Sequence, residues 1–425
     1  MNAYLFLIGL CLVIILSFFT GILSKKTNVP SVLVLIFLGV GLSRLLEYFK
    51  IVPDFYNSLE ILGIVGLIMI VLEAALDLEL KKENWPIIWK SFTIAALSLA
   101  LTSVSLSFIL LYFMPDMLFL EAIVYVLPLS IMSSAIVIPS VVNMSKYKKE
   151  FLIYEGTFSD ILGIMVFYMI VENIDVEGMR QLSVAIGGNL FLTIFISATL
   201  SYVLLYVIQN IRGEAKFFLF LAVLVLLYSV GKLFHLSSLV IILMFGLLLR
   251  NHKVLLFWKL EEWLRDERMD SLFDQFKMIT VETSFLVRTF FFVVFGMTLP
   301  IASLISWNVW VISILFLIVT YVLRFGLFFV VERKSIMPQV LITPRGLISI
   351  LLFFAIPEEL KVKGFENGVL FVVILVTSII MAWALIAYRK QREELDGGDS
   401  GSQKEDHAKS SADEFVELPI DEDKN

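Results

Sequence analysis

Two carboxylates lie close together in one apolar stretch of the chain, in the run Tyr-Glu-Gly-Thr-Phe-Ser-Asp-Ile-Leu-Gly over residues 154–163. A charge at the centre of a membrane-spanning helix costs roughly 2.5 to 3.5 kcal/mol on insertion scales, so each carboxylate needs a specific role. Asp160 can be neutralised by taking up a proton, because burial disfavours a charged carboxyl group, or by binding a small cation. A group that does either, one at a time, meets the minimum requirement of cation/proton exchange. A buried ion pair with an arginine is the structural alternative.

Glu155 lies five residues before Asp160, which is about 500° around a helix, so the two carboxylates point in different directions. They therefore need different roles. Arg324 and Arg345 lie in other apolar segments, and either of them can pair with Glu155. Such a pair would brace the site and leave Asp160 available, since buried ion pairs specify geometry more reliably than they add stability.

Two serines lie where a helix is expected to unwind. Ser133 and Ser134 are flanked by Pro128 and Pro139, and an unwound segment offers hydroxyl and carbonyl oxygens that suit a hard cation such as sodium. Small residues in membrane helices more often serve close packing, and on spacing alone packing ranks ahead of ligation.

Two further ionisable residues lie nearer to the ends of apolar segments. Glu73, in the run Leu-Glu-Ala-Ala-Leu-Asp, could face a water-filled funnel or the cytoplasm. Arg288 is expected to extend its side chain to the membrane surface from a position close to a helix end.

The composition places most of the chain in lipid. Of its 425 residues, 59% are hydrophobic, 17% are charged and 37 are Phe, a balance that a water-soluble globular surface could not carry. The formal net charge of −6 comes from excess acid in the last 35 residues. Basic residues are spread over short loops, so nucleic-acid binding is not expected. The single cysteine, Cys11, excludes an intramolecular disulfide.

The sequence contains no phosphate-binding Gly-Lys-Ser/Thr loop, no Cys or His cluster with metal-ligand spacing and no Ser/His/Asp arrangement. Neither an enzyme activity nor a cofactor is therefore expected.

Apolar segments long enough to cross about 30 Å of hydrocarbon predict about thirteen transmembrane helices. The first run, residues 3–22, lacks a basic leader and is followed by Lys25 and Lys26, so it is expected to be retained as a helix. Seventeen basic residues fall in one set of alternate loops, and the other set carries only Arg44, Lys50, Arg180, Lys232, Lys361 and Lys363. By the positive-inside rule the N-terminus is predicted outside and the C-terminus in the cytoplasm, in an inner or plasma membrane.

Thirteen helices divide into six, a linker helix and six, which predicts two inverted repeats with helices 5 and 12 in matching positions. Helix 5 contains Pro128 and Pro139, and helix 12 contains Thr343, Pro344 and Gly346. Interrupted helices in matching positions indicate a binding site near the middle of the membrane. The predicted fold class is an all-α polytopic membrane protein with discontinuous crossing helices.

Residues 1–390 are predicted to form the transmembrane domain, with its core at about 118–172 and 306–388. Residues 253–277 combine large apolar side chains with eleven charged ones, which predicts an amphipathic helix on the cytoplasmic membrane surface. Residues 391–425 are rich in Gly, Ser, Asp and Glu, which predicts a disordered acidic cytoplasmic tail.

Several short motifs, in matching order, resemble those of the monovalent cation:proton antiporter superfamily, and in particular the sodium/proton exchangers of the NhaP and NHE type. The resemblance covers residues 1 to about 390. The stretches that carry it are Leu-Glu-Ala-Ala-Leu (72–76), Ser-Ser-Ala-Ile-Val (133–137), Glu155 to Asp160, Phe-Phe-x-x-Phe-Gly-Met (291–297), Arg324 and Pro-Arg-Gly (344–346).

The resemblance implies an NhaA/NapA/NhaP-like fold, a homodimer with an interface domain and a mobile core, and Asp160 as the shared site of sodium and proton. It also implies that Glu155 pairs with Arg324, which makes Arg345 a second, charge-compensating group. Candidate ion-binding residues are Asp160, Ser159, Ser133, Ser134, Glu155 and Glu73.

Four positions depart from the family pattern: Ser134 replaces an Asp, Ala135 a Pro, Gly156 a Ser ligand, and Ser159 the Asn before the essential Asp. These changes bear on which cation is selected. The leading hypothesis is electroneutral exchange of sodium or lithium for protons by alternating access. A potassium/proton antiporter on the same fold is the nearest alternative, and an ion channel or sensor is the alternative from another class.

Overall fold

The computed structural model describes residues 3–27, 31–48, 56–142, 144–172, 195–206, 216–233, 238–251, 266–298, 304, 306–332, 336–362 and 364–389. The regular elements in these ranges are α-helices and short 3-10 turns, and none of the ranges contains a strand. The predicted all-α fold class is confirmed. The acidic tail, residues 391–425, lies outside the described residues.

The described α-helices follow one another with short connections wherever both neighbours are described. They are α1 (Ala3–Thr27), α2 (Ser31–Tyr48), α3 (Tyr56–Asp77), α4 (Trp85–Phe113), α5 (Phe119–Ser130), α6 (Ser134–Ser140), α7 (Lys146–Glu172), α8 (Phe195–Tyr206), α9 (Lys216–Leu233), α10 (Ser238–Arg250), α11 (Asp266–Thr298), α12 (Trp307–Val331), α13 (Leu347–Phe354) and α14 (Gly368–Arg389).

Six stretches of the described residues are both long and apolar enough to cross a membrane. They are Lys82–Phe113, Phe119–Ser140, Lys146–Val171, Phe273–Thr298, Trp307–Val331 and Gly368–Arg389. The chain is therefore a multi-pass membrane protein. The count of thirteen spans and the inverted repeat stay predictions, because several of the predicted spans lie partly outside the described residues.

Both predicted helix interruptions are present. Residues 131–133 are extended between α5 and α6, with Ser133 at φ −80° and ψ 112°. A 3-10 turn, Gln339–Leu341, is followed by non-helical residues 342–346 before α13 begins. Proline explains the position of the second break, because Pro344 lacks a backbone N–H and disfavours helical geometry at Thr343.

The described helices pack into two groups. In the first, which we call the core bundle, α4 packs against α5, α7 and α12, while α5 and α7 pack against each other and against α13; α6 packs on α7. The second, the scaffold bundle, joins α2 to α11, α3 to α10 and α11, α9 to α10, and α1 to α2. The core bundle contains α4, which lies before the predicted core boundary at residue 118.

Contacts between the two bundles run through a few helices. α7 touches α3 and α10 of the scaffold bundle, and α13 touches α11. These helices, or the segments next to them, carry most of the candidate site residues.

The scaffold bundle contains one backbone-to-backbone helix crossing. A Cβ built on Gly39 of α2 would lie 2.1 Å from the Val293 carbonyl oxygen, and one built on Gly296 of α11 would lie 2.2 Å from the Ile36 carbonyl oxygen. Only glycine permits so close an approach. This crossing gives a packing reason for the glycine in the Phe-Phe-x-x-Phe-Gly-Met motif.

The predicted amphipathic helix at 253–277 is described only in its second part. Residues 252–265 lie outside the described residues, and residues 266–277 form the beginning of α11. That part of the segment is therefore continuous with a helix that runs on to Thr298. One of its charged side chains contacts α3 of the scaffold bundle: Lys277 Nζ lies 3.2 Å from Asp77 Oδ1.

Candidate functional site

The two interrupted segments touch at their centres. The Ser133 N–H donates a hydrogen bond of 2.9 Å to the Pro344 carbonyl oxygen. Gly346 permits this contact, because a Cβ at that position would lie 2.5 Å from Ser133 Oγ and 2.7 Å from Ser133 Cβ. The two breaks therefore lie next to each other, as predicted. Backbone N–H and C=O groups that an unbroken helix would have paired internally meet at this crossing.

Asp160 lies on α7 against the first break and has no exposed surface. Its Oδ2 accepts a hydrogen bond of 2.9 Å from the Ser134 N–H, the first residue of α6. Its Oδ1 is buried and has no hydrogen-bond partner among the described residues. The backbone thus supplies a hydrogen bond to one carboxylate oxygen, and the other oxygen has none from the described residues.

Glycines on α7 let the break approach this close. A Cβ on Gly156 would lie 3.2 Å from Ser134 Cα, and a Cβ on Gly163 would lie 2.3 Å from the Ile131 side chain. Gly156, noted above as a departure from the family pattern, is therefore a contact point for α6. A serine at that position would require α6 to move by a few tenths of an ångström.

The three candidate serines differ in what their polar atoms do. Ser159 Oγ accepts a 2.9 Å hydrogen bond from the Met132 N–H, so it caps a backbone donor of the break. Ser134 contributes its N–H to Asp160. Ser133 Oγ is buried without a partner in the described part of the chain. Ser133 Oγ and Asp160 Oδ1 are thus the unpartnered oxygens that the site offers.

Glu155 pairs with Arg324, the arginine that the family resemblance implies. Arg324 Nη1 contacts one carboxylate oxygen and Nη2 donates to the other at 2.9 Å, and both side chains are buried. The guanidinium also donates to the carbonyl oxygens of Val340, Gln339 and Ile342 at 3.0 to 3.1 Å. One arginine therefore ties α12 and α7 to the segment before the second break.

Arg345 is 2% exposed and makes no ion pair with a described residue. Its Nη1 donates to Thr343 Oγ1 at 2.8 Å, and its backbone N–H donates to Thr377 Oγ1 on α14 at 3.1 Å. A buried cation at the crossing of two unwound segments can offset the partial negative charges of exposed carbonyl groups.

Glu73 and Arg288 form an ion pair, and their side chains are 16% and 22% exposed. Arg288 Nη2 lies 2.9 and 2.8 Å from the two carboxylate oxygens of Glu73, which joins α11 to α3. The expectation for Arg288 was wrong because the residue lies in the middle of the apolar stretch Phe273–Thr298 and pairs there with a carboxylate on α3. Both residues lie within electrostatic range of Asp160.

Sequence inspection missed a polar connection between the two bundles. Tyr154 of α7 donates a 2.8 Å hydrogen bond to the Glu79 carbonyl oxygen, in the segment that follows α3. Asn251, at the end of α10, holds the same segment by contacts with the Leu78 carbonyl oxygen and the Leu80 N–H. The position of Tyr154 beside Glu155 was a signal that could have suggested it.

The chemistry available at this site is that of oxygen ligands around one carboxylate. No group of three or more His, Cys, Asp or Glu side chains within the described ranges is arranged to hold a metal ion. Carboxylate and hydroxyl oxygens suit a proton or a hard monovalent cation.

Comparison with solved structures shows that this chain shares the fold of a sodium proton antiporter. The sodium proton antiporter MjNhaP1 from Methanocaldococcus jannaschii, in its structure at pH 8, matches with a TM-score of 0.66 and 18% identity over 91% of this chain and 99% of that one. An electron-microscopy structure of the same antiporter matches with a TM-score of 0.62 and 16% identity, over 90% of this chain and 96% of that one. At such identities the likeness shows the fold alone.

A comparison with curated proteins gives no match. The family described as "Sodium/hydrogen exchanger, transmembrane" matches residues 13–387, which is most of the chain and includes every candidate site residue named above. The chain therefore belongs to the transmembrane sodium/hydrogen exchanger family.

Proposed function

We propose that this protein is a secondary antiporter that exchanges sodium or lithium for protons, one for one, at Asp160. The observation that carries the proposal is the environment of that carboxylate. Asp160 is fully buried and one of its oxygens has no hydrogen-bond partner in the described part of the chain, whereas Glu155 and Glu73 are each paired with an arginine. One acidic group is thus left to bind either ion.

The exchange chemistry follows from the cost of a bare buried carboxylate. Asp160 gains by taking either a proton or a cation, and each of these leaves the same net charge at the site. Ser133 Oγ, and carbonyl oxygens freed at the breaks, would complete the shell of a partly dehydrated sodium ion. Ser159 and Ser134 would hold the backbone in position rather than bind the ion through their side chains.

Transport would proceed by alternating access, with the core bundle moving against the scaffold bundle of a homodimer. The site lies in the core bundle beside its contacts with α3, α10 and α11, which is where such movement would expose Asp160 to one side and then the other. We place the protein in the inner or plasma membrane with its C-terminus in the cytoplasm, as the distribution of basic loop residues favours.

Potassium/proton exchange is the second candidate. The observation that favours it is the pair of serines, Ser134 and Ser159, at positions where the resemblance leads one to expect an Asp and an Asn. Fewer strong ligands leave a site that binds small cations less tightly, which reduces the advantage of sodium over potassium.

The test is cation-driven proton movement in proteoliposomes that contain the purified full-length protein. Lithium, sodium and potassium are each added outside, and the internal pH is followed with a trapped fluorescent dye. We expect the interior to become more alkaline when sodium or lithium is added outside, because each cation that enters is exchanged for a proton that leaves. Potassium should give only a weak response. Cation flux without proton movement would show a channel, and a potassium-selective response would favour the second candidate.

A further inference from the structure

The ion pair between Glu73 and Arg288 lies on the scaffold bundle, and its helix α3 packs against α7, the helix that carries Asp160. Glu73 is on α3 and Arg288 is on α11, while Asp160 is on α7, which packs against α3. The hydrogen bond from Tyr154 of α7 to the Glu79 carbonyl oxygen joins α7 to the segment that follows α3, six residues from Asp160 on one side and six residues from Glu73 on the other. The pair is therefore an electrostatic neighbour of the site.

The pair is built into a closely packed helix contact. A Cβ on Gly66 of α3 would lie 2.3 Å from the Val287 side chain on α11, and Ser284 Oγ donates to the Met69 carbonyl oxygen at 3.2 Å. The side chains of Glu73 and Arg288 are only 16% and 22% exposed. Arg288 is thus held in position beside Glu73 rather than being a flexible surface charge.

We propose that Arg288 is a specificity-determining residue that restricts the Asp160 site to monovalent cations by neutralising Glu73. This inference rests on the proposed function of Asp160 as the cation site. Without Arg288, two carboxylates would face the same buried region. Two negative charges are what a divalent cation needs to offset its loss of hydration, whereas a single carboxylate leaves it with an excess positive charge.

Three states of the site follow from simple charge counting. With Arg288 present the pair contributes no net charge, and Asp160 supplies one negative charge. In Arg288→Gln, Glu73 adds a second negative charge, which attracts every cation and divalent cations most. In Glu73→Gln, the unpaired Arg288 adds a positive charge, which repels cations from Asp160.

The test compares calcium binding by the purified full-length wild type, Arg288→Gln, and the double variant Arg288→Gln/Glu73→Gln, using radioactive calcium and equilibrium dialysis. We expect Arg288→Gln to bind calcium about tenfold more tightly than the wild type, an effect of the size of one partly screened unit charge. The double variant should return to the wild-type value, because the second carboxylate is gone. Unchanged calcium binding in Arg288→Gln, or a gain that persists in the double variant, would overturn the proposal.

Lys277→Gln is the matched control. It breaks the pair between Lys277 and Asp77, which joins the same two helices at 3.2 Å through side chains that are more exposed than those of Arg288 and Glu73. Calcium binding by this variant should equal that of the wild type. A gain as large as that of Arg288→Gln would mean that any loosening of α3 and α11 is sufficient, and it would refute a specific role for Arg288.

Glu73→Gln keeps the proposal testable if Arg288→Gln does not fold. Its sodium KM in proteoliposomes should rise several-fold with kcat little changed, because an unpaired cation faces the site. An unchanged KM in Glu73→Gln would contradict the proposal. The calcium measurements do not require transport, so a wild type that fails to exchange sodium for protons would count against the proposed function and not against this inference.

Discussion

At the scale of single residues, the site separates three acidic groups by their partners. Glu155 is held by Arg324 and Glu73 by Arg288, whereas no cationic side chain among the described residues pairs with Asp160, which accepts a hydrogen bond from the Ser134 N–H. An ion pair keeps a buried carboxylate ionised, because protonating the carboxylate would leave the charge of the arginine unmatched. Under the proposed function, the exchangeable role would therefore fall to Asp160, and the two pairs would supply the fixed surroundings.

Asp160→Asn should abolish exchange while leaving expression and folding largely unchanged. An amide cannot release a proton at neutral pH or neutralise a cation, but its oxygen can still accept the hydrogen bond from the Ser134 N–H. Sodium-driven proton flux in proteoliposomes is the measurement. Asp160→Glu is the comparison and should keep weak activity, because the carboxylate survives at a shifted position. Near-normal flux in Asp160→Asn would rule out this mechanism.

Glu155→Ala and Arg324→Ala should each lower thermal stability, and the double substitution should cost less than the sum of the two. Removing one partner strands a buried charge, at about 3 to 5 kcal/mol, whereas removing both avoids that penalty. Thermal unfolding of the purified variants in detergent measures the coupling. Strictly additive losses would argue that the pair seen here contributes no specific interaction.

At the scale of elements, the two broken helices are positioned by glycine and proline. Pro344 marks the second break, and Gly346 allows the two breaks to touch through Ser133. On the partner helix, Gly156 and Gly163 open space for the first break. The site geometry therefore depends on missing side chains as much as on the polar ones.

Gly346→Ala should destabilise the crossing and reduce exchange. The new Cβ would lie 2.5 Å from Ser133 Oγ and 2.7 Å from Ser133 Cβ, and overpacking of this kind costs about 1 to 3 kcal/mol. The control is Gly326→Ala on α12, where nothing lies within 4 Å of the added Cβ. Thermal stability and transport are measured for both variants. Equal thermal stability and equal transport in the two variants would contradict the expectation that a Cβ at position 346 clashes with Ser133.

At the scale of the whole molecule, the proposed alternating access would make the core bundle the moving part and the scaffold bundle the fixed part. The core bundle carries Asp160 and its break, and the scaffold bundle carries the Glu73–Arg288 pair and the glycine crossing of α2 with α11. Tyr154 bridges them by its hydrogen bond to Glu79. Movement of one bundle against the other would carry the site past a stationary ion pair.

Exchange should be electroneutral, with one cation moved for one proton. Asp160 would carry the same net charge when loaded with either ion, because Ser159 cannot titrate and the other two acids are paired. Moving one charge through 100 mV would be worth about 2.3 kcal/mol, and a neutral exchange gains nothing from it. The measurement is the initial exchange rate in proteoliposomes held at zero potential and at about 100 mV of either sign. A several-fold change in rate with voltage would show that a second group titrates.

The sequence by itself determined the features that depend on neighbouring residues. Apolar segment lengths and buried charges established an all-helical membrane protein. Pro128 and Pro139 lie inside α5 and α6 and bracket the first break, and Pro344 lies within the second. The motif around Glu155 and Asp160 indicated the family. These conclusions hold because the need to satisfy backbone groups in lipid, and the geometry of proline, act within a few residues.

The family resemblance implied that Glu155 pairs with Arg324, but only the tertiary structure showed that pair and revealed that Glu73 meets Arg288. Glu73 and Arg288 are 215 positions apart and Glu155 and Arg324 are 169 apart, and neither spacing indicates that the residues pair. The pairing depends on which helices cross and how closely they approach, which is set by contacts such as Gly66 with Val287. A single sequence shows that a buried arginine needs a partner, but the choice among several carboxylates is made by the distances that packing leaves between them.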